Sequence, residues 1–143
     1  MKASRVLGEE ELVSLEPKEI VVLFYDALYS GNLHFLKALM TDKSYYMTLE
    51  TFGLRLSLKN LEFKTKLKHI EDDMGALSEV ERLLSIELLS RNVSPHIMIG
   101  KVIDNGSTRK IVEYTEGGKN KKLYFSKEEN IWKINYFAGR KIV

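Results

Sequence analysis

The chain has 143 residues, of which 44% are hydrophobic and 29% are charged, with a formal net charge of +2 and no cysteine. This length and composition predict one globular domain whose core needs no disulfide or metal ion for stability. The absence of cysteine excludes disulfides, thiolate metal sites and thiol nucleophiles. No apolar run approaches the roughly 18 residues of a membrane span, and the first residues lack the apolar core of a secretory signal. We therefore expect a cytoplasmic protein.

The charges are distributed unevenly along the chain. Residues 1–92 carry 12 Lys/Arg and 15 Asp/Glu, a net −3, whereas residues 93–143 carry 10 and 5, a net +5. Lysines on exposed and edge strands protect a sheet against aggregation. We favour this explanation over attraction of nucleic acid, because the net charge of the whole chain is low.

The first strong helix signal begins at Pro17, since proline suits the first helical turn, where its missing N–H would be unpaired. Residues 1–16 before it are predicted to form a loosely ordered lead-in, with a short helix from Glu9 to Leu15. Gly31 closes the Pro17 helix because glycine adopts positive φ without a Cβ clash. The apolar residues at three- and four-residue spacing predict one buried face: Ile20, Leu23, Phe24, Ala27 and Leu28.

The next helix is predicted to be capped by Asn32 and to end near residues 41–42. The segment from Lys43 to Asn60 fits two patterns, with apolar residues at helical spacing and an alternating stretch around Phe52. We favour a helix, since Gly53 is its only helix breaker and costs about 1 kcal/mol.

Two more helices are predicted before the strands begin. Asn60 caps the first of them, and the second ends before Pro95. Between them lies the acidic run of residues 71–73, which we interpret as a solvated helix end rather than a cation site, because consecutive carboxylates on a helix point in different directions. We expect no metal site and no cofactor.

From His96 onward the hydrophobic pattern alternates with period two, which is typical of β-strands. Turn signals such as Asn105-Gly106 separate the strands and predict hairpins. The fold class is therefore α+β, with N-terminal helices packed on a curved, antiparallel C-terminal β-meander and a helix-rich middle segment. Four strands are predicted: Ile97–Ile103, Arg109–Thr115, Lys121–Ser126 and Ile131–Phe137.

Both ends of the chain resemble the NTF2-like superfamily, whose α+β domains form a cone. The first helix reads Glu19-Ile20-Val21-x-x-Phe24-x-x-Ala27-Leu28-x-Ser30-Gly31-Asn32, and the last strand begins Asn130-Ile131-Trp132-Lys133-Ile134. These segments are similar to the family's "ALxxGD" helix end and "W+I" strand. The resemblance implies a domain over residues 1–143 that encloses a pocket, and many members form homodimers through the sheet.

The resemblance does not decide between an enzyme and a binding module, because this family includes both. In its isomerases a tyrosine on the first helix donates a hydrogen bond to the enolate, and Phe24 occupies that position here. The three histidines, including His96, lie in separate elements. We therefore expect a non-catalytic module that binds a small apolar ligand or a protein partner. The alternative is an isomerase, dehydratase or cyclase that uses His96, Glu113 or Asp26 as its acid–base group.

The aromatic residues are the strongest indication of a binding site. They are compatible with a core, with a pocket whose wall carries phenolic hydroxyls, or with a protein interface. If the aromatic residues form a pocket, we expect five of them to line it: Tyr45, Tyr46, Tyr114, Trp132 and Tyr136.

Several strands are apolar on both faces, which predicts a homodimer through the sheet. In the first strand, Ile97, Ile99 and Ile103 are expected on one face and Met98 and Val102 on the other.

Overall fold

The structure is a computed structural model that describes residues 9–138, in which six helices precede four strands. The helices are α1 (Glu9–Ser14), α2 (Pro17–Tyr29), α3 (Leu33–Ala38), α4 (Asp42–Lys59), α5 (Leu61–Leu67) and α6 (Met74–Ser90). The strands are β1 (Ile97–Asp104), β2 (Arg109–Glu116), β3 (Lys119–Glu128) and β4 (Ile131–Ile134). They form one antiparallel sheet in the order β1-β2-β3-β4. The predicted α+β class and its order of elements are confirmed.

Helix α2 is the central helix of the domain and follows its sequence signals closely. Pro17 occupies the first turn, and Glu16 and Glu19 form a capping box there. Gly31 follows the helix with φ +73°, in the left-handed region. A Cβ at Gly31 would lie 2.7 Å from the backbone oxygen of Ser85, so α2 and α6 approach closely only because this residue is glycine.

The segment with two possible patterns is a helix, α4, as favoured from the sequence. Gly53 lies in the middle of α4 without ending it. A Cβ at this position would lie 3.1 Å from Cε2 of Phe63, a fully buried residue on α5. The glycine therefore lets α5 pack tightly against α4, at a cost in helix propensity of about 1 kcal/mol.

Side-chain caps start the later helices. The Oδ1 atom of Asn60 accepts a hydrogen bond from the Phe63 N–H at 3.0 Å. The Oδ1 atom of Asp73 accepts bonds from the N–H groups of Gly75 and Ala76, at 2.9 and 3.1 Å. The acidic run of residues 71–73 thus leads into the start of α6, where a carboxylate stabilises the unpaired N–H groups.

The two faces of the sheet have different roles. The inner face packs on the helices, and α2 contacts β1, β2 and β4. Its buried side chains belong to the main hydrophobic core: Val112, Tyr114, Leu123, Phe125, Trp132 and Ile134. The outer face is the opposite side, defined by cross-strand partners at alternating positions. It carries Met98, Ile103, Ile111, Glu113, Thr115, Asn120, Lys122, Tyr124, Ser126 and Lys133.

The prediction for the faces of β1 was wrong at its second half. Ile99 pairs with Tyr114 on the inner face, but Val102 pairs with Val112 there and Ile103 pairs with Ile111 on the outer face. Two residues of β1 oppose one residue of β2 between Ile99 and Val102, which is a β-bulge. The extra residue shifts the alternation by one, so Val102 and Ile103 exchange faces.

Strand β4 is also shorter than the predicted Ile131–Phe137. The chain turns after Ile134 because the Asn135 Oδ1 atom accepts a hydrogen bond from the Phe137 N–H at 3.0 Å. Ile134 also exchanges backbone hydrogen bonds with Leu39 and Thr41, at 2.9 and 3.0 Å. Residues 39–41 therefore extend the sheet with a short parallel bridge, where the sequence had suggested the end of a helix.

None of the described helices is both long enough and apolar enough to cross a bilayer.

Candidate functional site

The interior of the domain contains a pair of tyrosines that joins α2 to the sheet. The hydroxyl oxygens of Tyr25 and Tyr114 lie 2.6 Å apart, and their rings are 5.8 Å apart in an edge arrangement. Burial raises the pKa of both phenols. Each hydroxyl is therefore neutral at physiological pH and is satisfied by its neighbour.

A polar cluster adjoins this pair at the end of β2. The Lys121 Nζ atom donates a hydrogen bond to the Glu116 Oε1 atom at 2.8 Å, which raises the pKa of Lys121. Burial raises the pKa of Tyr29, and the Glu116 carboxylate raises it further. The Glu116 carboxylate also contributes to the raised pKa of Tyr25.

Tyr136 belongs to a second interior contact. Its hydroxyl lies 2.8 Å from the Thr48 Oγ1 atom, which donates to the Ser44 carbonyl at 2.9 Å. Burial raises the pKa of Tyr136 to about 12, and Tyr114 adds to the rise while Thr48 opposes it. Of the predicted pocket residues, Tyr114 and Tyr136 therefore both have hydrogen-bond partners within the domain, Tyr25 and Thr48.

The other predicted pocket residues lie elsewhere. Tyr45 is fully buried and donates its hydroxyl hydrogen to Glu81 on α6 at 2.5 Å. Tyr46 is half-buried beside it, with the two ring centroids 6.2 Å apart. The hydroxyl of Tyr45 therefore bonds to a helix, α6, whereas that of Tyr114 bonds to Tyr25.

Trp132 lies between two lysines. The Nζ atoms of Lys110 and Lys127 are 5.2 and 5.5 Å from its ring centroid, within cation–π range. Lys110 also contacts the carboxylates of Glu16 and Asp104, at 3.9 and 3.7 Å. The shallow cleft above this arrangement has a volume of about 510 Å³.

The structure brings two of the three catalytic suspects together. Asp26 on α2 and His96 before β1 line one cleft of about 450 Å³, together with Tyr25 and Tyr29. Both Asp26 and His96 are exposed. Glu113 is separate, because it lies on the outer face with its carboxylate 4.0 Å from the Lys122 Nζ atom.

A larger groove of about 840 Å³ crosses β1, β2 and β3, and it is lined by outer-face residues together with the inner-face residues Ile99, Tyr114 and Lys121. Its residues include Met98, Lys101, Glu113 and Lys122. Within residues 9–138, no group of three or more His, Asp or Glu side chains is arranged to hold a metal ion.

Sequence reasoning did not single out Tyr25 or Thr48 as interior hydroxyls. A signal for Tyr25 was present, because it follows Val21 by four residues and precedes Leu28 by three, which places it on the buried helix face. No local pattern marks Thr48, whose partner Tyr136 is 88 residues away.

Comparison with known proteins gave no match to a family model, a curated protein or a solved structure.

Proposed function

We propose that this chain is a non-catalytic NTF2-like module that works by binding, and that it assembles with a second copy of itself through the outer face of the sheet. The observation that carries the proposal is an apolar row across three strands. Ile103 pairs with Ile111, and Ile111 pairs with Tyr124. These three side chains lie outside the hydrophobic core and are only half-buried. A second copy would bury the same row from the other side.

The membership in the NTF2-like superfamily is part of this proposal. Its support is the order of elements, in which a helix closed by Gly31 and Asn32 packs on a meander whose last strand carries Trp132. The parallel bridge between Met40 and Ile134 adds chain to the β4 edge of that sheet. Fold analogy by itself says nothing about a reaction, so the binding role depends on the outer face.

The interior tyrosine hydroxyls already have hydrogen-bond partners, which favours the outer face of the sheet as the binding surface. The hydroxyls of Tyr25 and Tyr114 bond to each other, and those of Tyr45 and Tyr136 bond to Glu81 and Thr48. Hydroxyls satisfied in this way stabilise a packed core and have no need of a ligand as a partner.

Sedimentation velocity at tens of micromolar tests the assembly. The wild type should sediment as a dimer, and Ile111→Lys and Tyr124→Lys should sediment as monomers, because each places a charge in the apolar row. Ile86→Lys is the control, since Ile86 is 59% exposed on α6, away from the sheet. Circular dichroism confirms that each variant is folded. A monomeric wild type, or dimeric row variants, would contradict the proposal.

A second candidate function rests on the cleft that contains Asp26 and His96. A carboxylate and an imidazole in one cleft can transfer protons, as an isomerase, dehydratase or cyclase requires. The test is deuterium exchange next to the carbonyl of simple cyclic ketones, followed by NMR. Catalysed exchange that is lost in Asp26→Asn and His96→Gln but kept in His69→Gln would support an enzyme. Equal rates in all variants would exclude this chemistry for the cleft.

A further inference from the structure

The groove across β1, β2 and β3 lies at the end of the sheet nearest the turn between β2 and β3. It has a volume of about 840 Å³ and is open to solvent along one side. Two outer-face rows contribute to it: Met98 with Thr115 and Asn120, and Glu113 with Lys122. Ile111 and Tyr124 do not line the groove, so it is separate from the apolar row of the proposed dimer.

The bulge in β1 shapes one wall of the groove. Gly100 and Lys101 together oppose Glu113 on β2. A Cβ on Gly100 would lie 3.0 Å from the Glu113 backbone oxygen, so glycine allows the two strands to approach at this point. A bulge redirects the side chain beside it, and here that side chain is Lys101, which lines the groove.

Lys101 is the cation of this groove that is free to bind an anion. Lys121 donates a hydrogen bond to Glu116 at 2.8 Å, and Lys122 lies 4.0 Å from the carboxylate of Glu113. Lys101 is exposed and makes neither a hydrogen bond nor an ion pair with the part of the chain that the structure describes. An ammonium group without a partner can form a charge-assisted hydrogen bond with a carboxylate.

The floor of the groove is apolar beside this charge. Met98 is 59% exposed and supplies an accessible apolar side chain there. Ile99 also lines the groove, although its side chain belongs to the inner face of the sheet. An exposed methionine adapts to alkyl chains of different shape, which suits a surface that binds apolar ligands.

We propose that this groove binds a small amphiphile whose carboxylate pairs with Lys101 and whose alkyl chain lies against Met98. The inference goes beyond the proposed function, because the groove residues lie outside the apolar row of the proposed dimer. A nucleic acid fits less well, since the only aromatic residue of the groove, Tyr114, is buried with its hydroxyl bonded to Tyr25.

Isothermal titration calorimetry with dodecanoate below its micelle concentration tests the proposal. The wild type should bind, and Lys101→Met should raise the dissociation constant about tenfold, the size expected when a hydrogen bond to a charged group is lost. Lys119→Met is the matched control, because Lys119 is also exposed on this sheet but does not line the groove. Dodecanol should bind the wild type about tenfold more weakly than dodecanoate.

Met98→Ser should also weaken dodecanoate binding, since it removes the apolar contact without adding a charge. No binding to the wild type, or equal binding by Lys101→Met and Lys119→Met, would overturn the proposal. Repeating the titration with Ile111→Lys separates this result from the dimer. If that monomeric variant still binds dodecanoate, the groove acts independently. If the wild type is a monomer but binds dodecanoate through Lys101, only the assembly proposal fails.

Discussion

The hydroxyls of Tyr25 on α2 and Tyr114 on β2 meet at 2.6 Å, which fixes the central helix on the inner face of the sheet. Both residues are buried, at 6% and 5% exposure. A hydrogen bond in such a place contributes twice, since making it stabilises the fold and losing it leaves a buried hydroxyl without a partner.

A double-mutant cycle on this pair measures that contribution. Tyr25→Phe and Tyr114→Phe should each lower the free energy of unfolding by about 1–2 kcal/mol, because each leaves one buried hydroxyl unpaired. The double variant should cost about 1 kcal/mol less than the sum of the two, since it removes both partners together. Urea denaturation supplies the three values. Strict additivity would show that the two hydroxyls are not coupled.

The glycine after α2 offers a sharper test of packing. Gly31→Ala should destabilise the protein by about 3 kcal/mol, for two reasons. Alanine would have to keep a positive φ, and its Cβ would lie 2.7 Å from the backbone oxygen of Ser85. Gly117→Ala is the matched control. Gly117 has φ +57° but open space around it, so its cost should be about 1 kcal/mol.

The difference between the midpoints of the two alanine variants in urea isolates the close approach of α2 to α6. Equal losses of stability would mean that backbone strain alone acts at Gly31, and that α6 moves away without cost.

The raised pKa of Tyr136 predicts that the folded protein loses stability at alkaline pH. Burial raises its pKa from the ordinary 10 to about 12 in the folded protein. Between these values the unfolded chain releases the phenolic proton and the folded chain keeps it, so the free energy of unfolding falls as pH rises from 10 towards 12. Below pH 10 this contribution is fully present.

Urea denaturation should be measured at several pH values between about 9 and 11, around the ordinary pKa of tyrosine. The free energy of unfolding should decline less steeply with pH for Tyr136→Phe than for the wild type. The same slope for both proteins would rule out Tyr136 as a source of the pH dependence. Because Tyr25 also has a raised pKa, some decline should remain in the variant.

Much of the fold could be predicted because its signals are local. Pro17 and Gly31 set the ends of α2, and Asn60 sets the start of α5 through hydrogen bonds to residues only a few positions away. The turn after Asn105 likewise depends on its own residues. Such signals require no knowledge of tertiary partners.

The bulge in β1 could not be predicted in the same way, although Gly100 in the middle of the strand was a hint. A bulge is defined by the pairing with Glu113, a contact across the sheet. The same limit applies to the candidate sites. Asp26 and His96 lie 70 positions apart in the sequence, and only the packing of α2 beside the start of β1 puts them in one cleft.

The central claim is that two copies meet through the outer face, and electron–electron double resonance measures this directly. The natural chain has no cysteine, so one introduced cysteine carries one spin label. Lys133→Cys places the label on the outer face, and Glu50→Cys places it on the exposed side of α4. We predict a short, narrow distance between labels at position 133 and a longer one at position 50. The absence of dipolar coupling at position 133, or a shorter distance at position 50, would contradict the account.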